Sequence, residues 1–210
     1  MIGQYIGGYR ILRVLGEGGM GVVYEGVRED IGGSAAIKVL RSEYALQPEL
    51  AARFFNEARA ANLVNHPGIV KVFDYGQLPS GVAFLAMEFL EGESLYKRLQ
   101  REARLSEAES LRLGRQIASA LAAAHEKQVV HRDLKPENVF IVPDAEAAGG
   151  ERAKILDFGI AKLTAMQQGP VRTNTNMLMG TPIYMSPENI TLQLSDGDHR
   201  QTGSWGLIGD

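Results

Sequence analysis

Cysteine is absent from this 210-residue sequence. The chain therefore has no disulfide, no cysteine-ligated metal site and no cysteine nucleophile, which fits a reducing compartment. Long hydrophobic runs are also missing, since apolar stretches such as VAFLAM at 82–87 are far shorter than the roughly 20 residues that span a bilayer. The first residues, MIGQYIGGYR, lack the basic and apolar segments of a secretory signal. These absences predict a soluble, cytoplasmic chain without a membrane segment.

A strong excess of either charge is lacking as well. The 22 Lys and Arg residues face 25 Asp and Glu residues, for a net charge of −3. Without an overall basic field, nucleic acid is not an expected partner. Hydrophobic residues make up 45% of the chain, as in ordinary globular proteins, and the length suffices for one large domain or two small ones.

Hydrophobic periodicity predicts a strand-rich first part and a helix-rich second part. The predicted strands of the first part lie at 9–15, 22–28, 35–41, 69–75 and 82–89, with an amphipathic helix at 48–64. Residues 91–94 are expected to be a linker. In the second part, Ser106 and Glu109 form a capping box that opens a long helix. Short strands are predicted near 138–142 and 153–156.

A glycine-rich stretch, GEGGMGVV at 16–23, matches the pattern G-x-G-x-x-G-x-V. A dinucleotide-binding turn would require a helix after Gly21, whereas the residues that follow are β-branched and aromatic. The stretch therefore joins two antiparallel strands. It is either a plain hairpin turn or a flap whose backbone amides lie over phosphates.

Two charged residues stand out in apolar surroundings. Lys38 lies inside the strand AAIKVL, and Glu57 lies on the following helix where it can face the sheet. Lys38 is either a solvent-facing strand lysine or a fixed cation for phosphate oxygens, paired with Glu57. Asp157 follows an apolar strand and precedes Phe158-Gly159. It is either a turn residue or a carboxylate presented to Mg²⁺.

The octet HRDLKPEN at 131–138 carries the densest group of functional side chains. It could be a solvated turn, but phosphoryl transfer requires a base near the attacking hydroxyl, a cation on the phosphates and a divalent ion. Asp133 fits the base, Lys135 the charge for the moving phosphoryl group, and Asn138 a neutral oxygen for a metal. Pro136 is expected to keep the segment from winding into a helix.

In this order, the motifs resemble those of the eukaryotic-type protein kinases over residues 9–188. The matching stretches are the glycine-rich loop, AAIK at 35–38, Glu57, HRDLKPEN, DFG at 157–159 and GTPIYMSPE at 180–188. LKPEN is similar to the serine/threonine branch, and the compact spacing looks like bacterial members. The resemblance implies the α+β, bilobal protein-kinase fold, with a β-rich N-lobe, a mainly helical and here incomplete C-lobe, and ATP and Mg²⁺ as cofactors.

The resemblance also implies roles for individual residues. Lys38, paired with Glu57, would contact the phosphates, Asp133 would be the catalytic base with Lys135 beside it, and Asn138 and Asp157 would bind Mg²⁺. The residues implied around ATP are Gly16, Glu17, Gly18, Gly19, Gly21, Val23, Ala36, Lys38, Met87 as gatekeeper, Glu88, Leu90 and Phe140. Thr173 and Thr175 would be autophosphorylated, with Arg132 able to receive a phosphate. Thr181 would meet the substrate hydroxyl.

The predicted domain organisation follows the same resemblance. Residues 1–88 form the N-lobe with the glycine-rich loop, the Lys38 strand and the Glu57 helix, residues 89–188 form part of the C-lobe, and 189–210 form a divergent tail. Because the family continues into further helices, we interpret the tail as a frameshift or early stop in a longer kinase. Such a chain is expected to be a weak catalyst and to self-associate through the activation segment or an exposed C-lobe surface.

The sequence leaves three functions to compare. The first is a protein kinase that transfers phosphate from ATP to Ser and Thr residues of proteins, in bacterial signalling. The second is a non-catalytic nucleotide-binding or interaction module that keeps the ATP cleft. The third and weaker one is a kinase of small molecules. The complete set of catalytic positions favours the first hypothesis, and the missing helices favour the second.

Overall fold

The computed structural model describes residues 1–30, 32–45, 48–157 and 184, without the side chains at 43, 45, 48–50, 53 and 57. Its first part is a six-stranded antiparallel sheet in the order β1-β2-β3-β4-β6-β5. The strands are β1 (Tyr5–Ile6), β2 (Tyr9–Glu17), β3 (Gly21–Arg28), β4 (Gly33–Leu40), β5 (Val72–Gln77) and β6 (Ala83–Glu88). Five of the six were predicted from alternating or continuous apolar runs. The short β1 was not.

Two helices follow β4 along the chain, α1 (Ser42–Ala45) and α2 (Pro48–Leu63). Helix α2 begins at Pro48 as predicted, since proline is favoured in a first helical turn, where its missing N–H is not needed. Phe54 and Ala58 of α2 are buried in the same cluster as Leu85 and Met87 of the sheet. The opposite face of the sheet is covered by a second apolar cluster built around Ile11, Ile37 and Phe84.

The second part joins helices to a small three-stranded sheet in the order β7-β8-β9. Its elements are β7 (Glu93–Ser94), α3 (Leu95–Glu102), α4 (Glu107–Glu126), β8 (Val139–Pro143) and β9 (Glu151–Ile155). The interpretation of 91–94 as a linker was wrong at Glu93 and Ser94, which pair with β8. One half of the predicted capping box of α4 is present, because the Ser106 hydroxyl accepts a hydrogen bond of 3.2 Å from the Glu109 amide. The Glu109 carboxylate accepts from the Arg98 guanidinium at 2.9 Å.

Strand β9 connects the two parts of the molecule. The loop after α2 runs beside it, and Ile69 and Ile155 form a parallel bridge. The Ile155 amide donates to the Gly68 carbonyl at 2.8 Å, and the Val70 amide donates to the Ile155 carbonyl at 3.1 Å. Glycine at 68 favours the close approach, since a Cβ there would lie a tight 3.1 Å from the Ala120 Cβ. Asp157 lies two residues after the end of this anchored strand.

Among the described residues, no helix combines the length and apolar character needed to cross a membrane.

Candidate active site

The glycine-rich stretch forms the hairpin between β2 and β3. Gly16 and Glu17 end β2, Gly21 begins β3, and the Gly18 amide donates to the Gly21 carbonyl at 2.9 Å. A strand, not a helix, follows Gly21, so the structure excludes the dinucleotide-binding turn. A Cβ at Gly21 would lie 2.2 Å from the Val39 carbonyl oxygen, which explains why a larger residue does not fit. Gly19 lies in the turn itself.

Lys38 lies near the middle of β4, opposite Val23 of β3. Its side chain is only 13% exposed, and its Nζ is 2.8 Å from Asp157 Oδ1 and 5.9 Å from the centre of the Phe54 ring. This position rules out the solvent-facing alternative for Lys38. The Glu57 backbone belongs to α2, but its side chain lies outside the described residues, so the Lys38–Glu57 pair stays a prediction.

The residues expected around adenine come from both sheets. Ala36 on β4 lies opposite Met87 on β6, and both are buried. Leu90 follows β6 and is partly buried against the same apolar cluster as these two residues. Phe140 lies on β8, opposite Ser94 and Lys154 in the small sheet. Their contact with a nucleotide stays a prediction.

The octet begins with a buried histidine. His131 is 2% exposed, and its Nε2 lies 2.8 Å from the Leu156 carbonyl oxygen. The Asp133 amide donates to His131 Nδ1 at 3.3 Å. A neutral imidazole with its proton on Nε2 satisfies both contacts, so this histidine holds the backbone of the octet against the chain before Asp157. Arg132 between them has a φ of 61°.

Asp133, Lys135 and Asn138 form one local group. Lys135 Nζ is 3.5 Å from Asp133 Oδ2. Asn138 Nδ2 donates to the Asp133 carbonyl at 2.8 Å and lies 3.3 Å from Asp133 Oδ2. The expectation that Pro136 prevents helical winding was wrong locally, because Pro136–Asn138 form a single 3₁₀ turn. That turn brings the Asn138 amide back onto Asp133.

Backbone hydrogen bonding connects Asn138 to Asp157. The Leu156 amide donates to the Asn138 carbonyl at 2.8 Å, and Asp157 follows with a φ of 47°, a strained conformation for a non-glycine residue. In the described part of the chain, no cluster of three or more His, Cys, Asp or Glu residues could hold a metal. The Asn138 amide oxygen and the Asp157 carboxylate still supply the hard oxygen donors that Mg²⁺ prefers, so this pair fits the ion.

Two contacts at this site were not predicted. Lys154 Nζ lies 2.6 and 2.8 Å from the two carboxylate oxygens of Glu88, joining the end of β6 to β9. The Arg41 guanidinium donates to the Gly18 carbonyl at 3.3 Å, next to the glycine-rich turn. The Lys154–Glu88 contact could have been suspected only from the position of Lys154 in the otherwise apolar stretch AKIL.

The activation segment after Asp157 and the tail lie outside the described residues, apart from Tyr184, which is exposed. Phe158 and Gly159 of the DFG match, Thr181 and the predicted tail at 189–210 therefore lie outside the described residues. The predicted phosphorylation sites Thr173 and Thr175 do so as well, together with the segment expected to mediate self-association.

Comparisons with known proteins identify the family. The protein kinase domain family matches residues 9–207. The chain is 45% identical over 182 residues to the serine/threonine-protein kinase pkn2 of Myxococcus xanthus, covering 87% of this chain and 21% of that protein. It is 44% identical over 186 residues to PknA of Mycobacterium tuberculosis, covering 87% and 41%. The chain thus spans well under half the length of these relatives.

A solved structure agrees with the sequence relatives. The crystal structure of the Mycobacterium tuberculosis PknI kinase domain superposes with a TM-score of 0.64 at 32% identity, covering 76% of this chain and 63% of that domain. This similarity confirms the protein-kinase fold predicted from the motifs. The relatives pkn2 and PknA are bacterial serine/threonine-protein kinases, as the motifs had indicated. The chain therefore belongs to the protein kinase domain family.

Proposed function

We propose that this protein transfers the γ-phosphoryl group of ATP to Ser and Thr hydroxyls of proteins, with Mg²⁺ as cofactor. One observation carries the proposal: the Lys38 ammonium lies 2.8 Å from the carboxylate of Asp157, and the preceding residue, Leu156, is hydrogen-bonded through its amide and its carbonyl to the octet that contains Asp133. A phosphate-binding cation, a metal ligand and a candidate base are thus held by one connected framework. Catalysis of phosphoryl transfer is mainly such positioning, together with electrostatic stabilisation.

The nucleotide would lie between the two sheets. In this proposal, the backbone of the glycine-rich hairpin covers the phosphates and Lys38 contacts their oxygens. The adenine ring lies among Val23, Ala36 and Phe140, with Met87 beside it as gatekeeper. The backbone of residues 88–90 hydrogen-bonds to the adenine edge. All these residues belong to strands or directly follow one, which keeps the binding surface rigid.

Asn138 and Asp157 would hold the metal ion, and Mg²⁺ supplies neutralisation of charge on the phosphates when bound. In this structure the Lys38 ammonium forms an ion pair with the Asp157 carboxylate. We infer that Lys38 turns toward phosphate oxygens when the nucleotide is present, because its charge can be shared between two anionic partners.

Asp133 would act as the base for the attacking hydroxyl. The substrate oxygen forms a bond to the γ-phosphorus while the bond from that phosphorus to the β,γ-bridging oxygen breaks, and ADP leaves. The hydroxyl proton passes to the Asp133 carboxylate. Lys135, 3.5 Å from that carboxylate, would stabilise charge on the phosphoryl group in transfer.

A labelled-phosphate transfer assay tests the proposal. Purified chain is incubated with γ-labelled ATP, Mg²⁺ and a generic basic protein, alongside Asp133→Asn as the matched control. We expect transfer by the wild type and a loss of about a hundredfold or more in the variant, in the range of general base catalysis. ATP binding by both proteins without any transfer would support the alternative, a nucleotide-binding module. Transfer to small molecules alone would support the third hypothesis.

We also propose that Thr173 and Thr175 are autophosphorylated and that Arg132 receives the phosphate. Burial lowers the pKa of Arg132, which means that its charge is partly desolvated. An adjacent phosphate would offset that cost and draw the activation segment toward the octet. Mass spectrometry of protein incubated with Mg²⁺ and ATP should find phosphate at these two threonines. Modification confined to Thr164 or Ser186 would contradict this proposal.

The division into lobes at 88/89 and a cytoplasmic location complete the proposal. Strand β6 ends at Glu88, and the chain then passes directly to β7 of the second sheet, which supports the boundary. ATP is supplied in the cytoplasm, which supports the location.

A further inference from the structure

The outer edge of β9 requires partners that its own sheet does not supply. In the order β7-β8-β9, the only strand of its sheet that β9 pairs with is β8, and Ile155 alone forms a further bridge, to Ile69. The unpaired backbone groups of an edge strand must be satisfied elsewhere when they are buried. Ala153 and Ile155 of β9 are 1% and 0% exposed, so water does not meet this need.

On that edge, the side chain of Gln116 makes hydrogen bonds of the kind that a neighbouring strand would make. Its Nε2 donates to the Glu151 carbonyl at 3.0 Å, and its Oε1 accepts from the Ala153 amide at 2.7 Å. The next residue along the edge, Ile155, is bonded through both backbone groups to the loop at 68–70. A primary amide offers one acceptor and two donors, so it can bind a carbonyl and an N–H of the same strand at once.

Gln116 is itself firmly placed. It lies on α4 between Leu113 and Ala120, which are 2% and 0% exposed and anchor the helix in the core. Its two hydrogen bonds therefore fix β9 relative to a rigid helix. A strand rises about 3.3 Å per residue, and a slip by one residue exchanges the faces of all its side chains. Because Asp157 follows the strand so closely, the register of β9 sets where that carboxylate lies.

We propose that Gln116 is a positioning residue, which holds the register of β9 and thereby presents Asp157 to Lys38 and to the metal ion. The part of this proposal that concerns the metal rests on the proposed function. The part that concerns the strand does not, and the two can be measured separately. Gln116 touches neither substrate nor metal in this arrangement and acts only through β9.

The first measurement is amide hydrogen exchange in the nucleotide-free chain. Gln116→Met keeps the length of the side chain and removes both hydrogen bonds, and Arg115→Met changes the neighbouring, exposed helix position as the matched control. We expect the Ala153 and Ile155 amides to exchange about tenfold faster in Gln116→Met, as loss of buried hydrogen bonds implies. Arg115→Met should exchange at the wild-type rate. Unchanged exchange at both amides in Gln116→Met would overturn the proposal.

The second measurement is the Mg²⁺ dependence of phosphoryl transfer and of ATP binding. In Gln116→Met, the Mg²⁺ concentration for half-maximal rate should rise about tenfold, while ATP binding without Mg²⁺ stays at the wild-type value. Ile6→Val is the control for stability alone, because it removes a methyl group from a buried apolar cluster that contains no residue of β9 and should leave the Mg²⁺ requirement unchanged. An equal Mg²⁺ requirement in Gln116→Met and Ile6→Val would refute the role of Gln116 toward Asp157.

The two measurements separate the possible failures. A wild-type chain that neither binds ATP with Mg²⁺ nor transfers phosphate would refute the proposed function, while amide exchange would still decide whether Gln116 holds β9. If Gln116→Met does not fold, Gln116→Glu replaces it. Its carboxylate can still accept from the Ala153 amide but cannot donate to the Glu151 carbonyl, so faster exchange at Ile155 is again expected and wild-type exchange there is the contrary result.

Discussion

The ion pair between Glu88 and Lys154 should stabilise the junction of the two lobes. Lys154 Nζ lies 2.6 and 2.8 Å from the two carboxylate oxygens of Glu88. The Lys154 side chain is 12% exposed and the Glu88 side chain 27% exposed. At an effective dielectric constant of about 20, opposite charges at this distance attract with about 6 kcal/mol before desolvation. Removing water from both ions cancels much of this attraction. We therefore expect a coupling of about 2 kcal/mol, between the values for exposed and fully buried pairs.

A double-mutant cycle measures that coupling. Urea unfolding is followed for the wild type, Glu88→Gln, Lys154→Met and the double variant. Glu88→Gln is chosen because its amide oxygen can still accept from the Lys71 amide, which lies 3.4 Å from Glu88 Oε2. Each single variant should lower the free energy of unfolding by about 2 kcal/mol, which in a domain of this size corresponds to a melting temperature about 4–8 °C lower. The double variant should lose much less than the sum of the two.

The exposed pair Arg10–Glu29 serves as the control cycle. Its side chains are 41% and 49% exposed although the charged atoms are only 2.5 Å apart. An exposed pair gains little because water screens it, so its coupling should be too small to measure. If the Glu88–Lys154 cycle is additive, or no larger than this control, the reasoning from burial and bidentate geometry is wrong. An ATP affinity that falls in Lys154→Met would in addition show that the junction supports the nucleotide site.

Three further predictions concern nucleotide binding, acid stability and the glycine-rich hairpin. Mg²⁺ with ATP at a hundredfold excess over its Kd should stabilise the wild type by about 2.7 kcal/mol in thermal unfolding, and Lys38→Met should lose most of that shift. An equal shift in both proteins would remove Lys38 from the site. The hydrogen bond from Arg98 lowers the pKa of Glu151 below its ordinary value of 4.5. The charged Glu151 carboxylate therefore stabilises the fold fully at pH values above 4.5, and this stabilisation is lost as the pH falls through the lowered pKa. Arg98→Met should therefore show a shallower loss of melting temperature between about pH 6 and pH 3, and parallel curves would contradict this. Gly21→Ala places a Cβ 2.2 Å from the Val39 carbonyl oxygen and should weaken ATP binding in calorimetry, and wild-type affinity would show that the hairpin adapts.

The local structure around the site could be predicted because it depends on local patterns. Alternating and continuous apolar runs indicate strands, and glycine followed by β-branched residues indicates a hairpin. Ser106 could be assigned as a helix cap because the cap bonds to an amide only three residues away. Segments with weak patterns escaped prediction. The two-residue strand β7 has too few residues to alternate, and α3 is largely polar with no fully buried residue.

The contacts that assemble the site were decided by the tertiary structure. The sequence predicted which residues carry the chemistry, since Lys38 and Asp157 lie in or beside apolar strands and Asp133 lies in the charged octet. It did not reveal that Lys38 contacts Asp157, that Gln116 completes the edge of β9, or that Lys154 binds Glu88. These partners are far apart along the chain. Their meeting depends on the register of two sheets and the packing of α4 against β9, and no periodicity within a single segment encodes that arrangement.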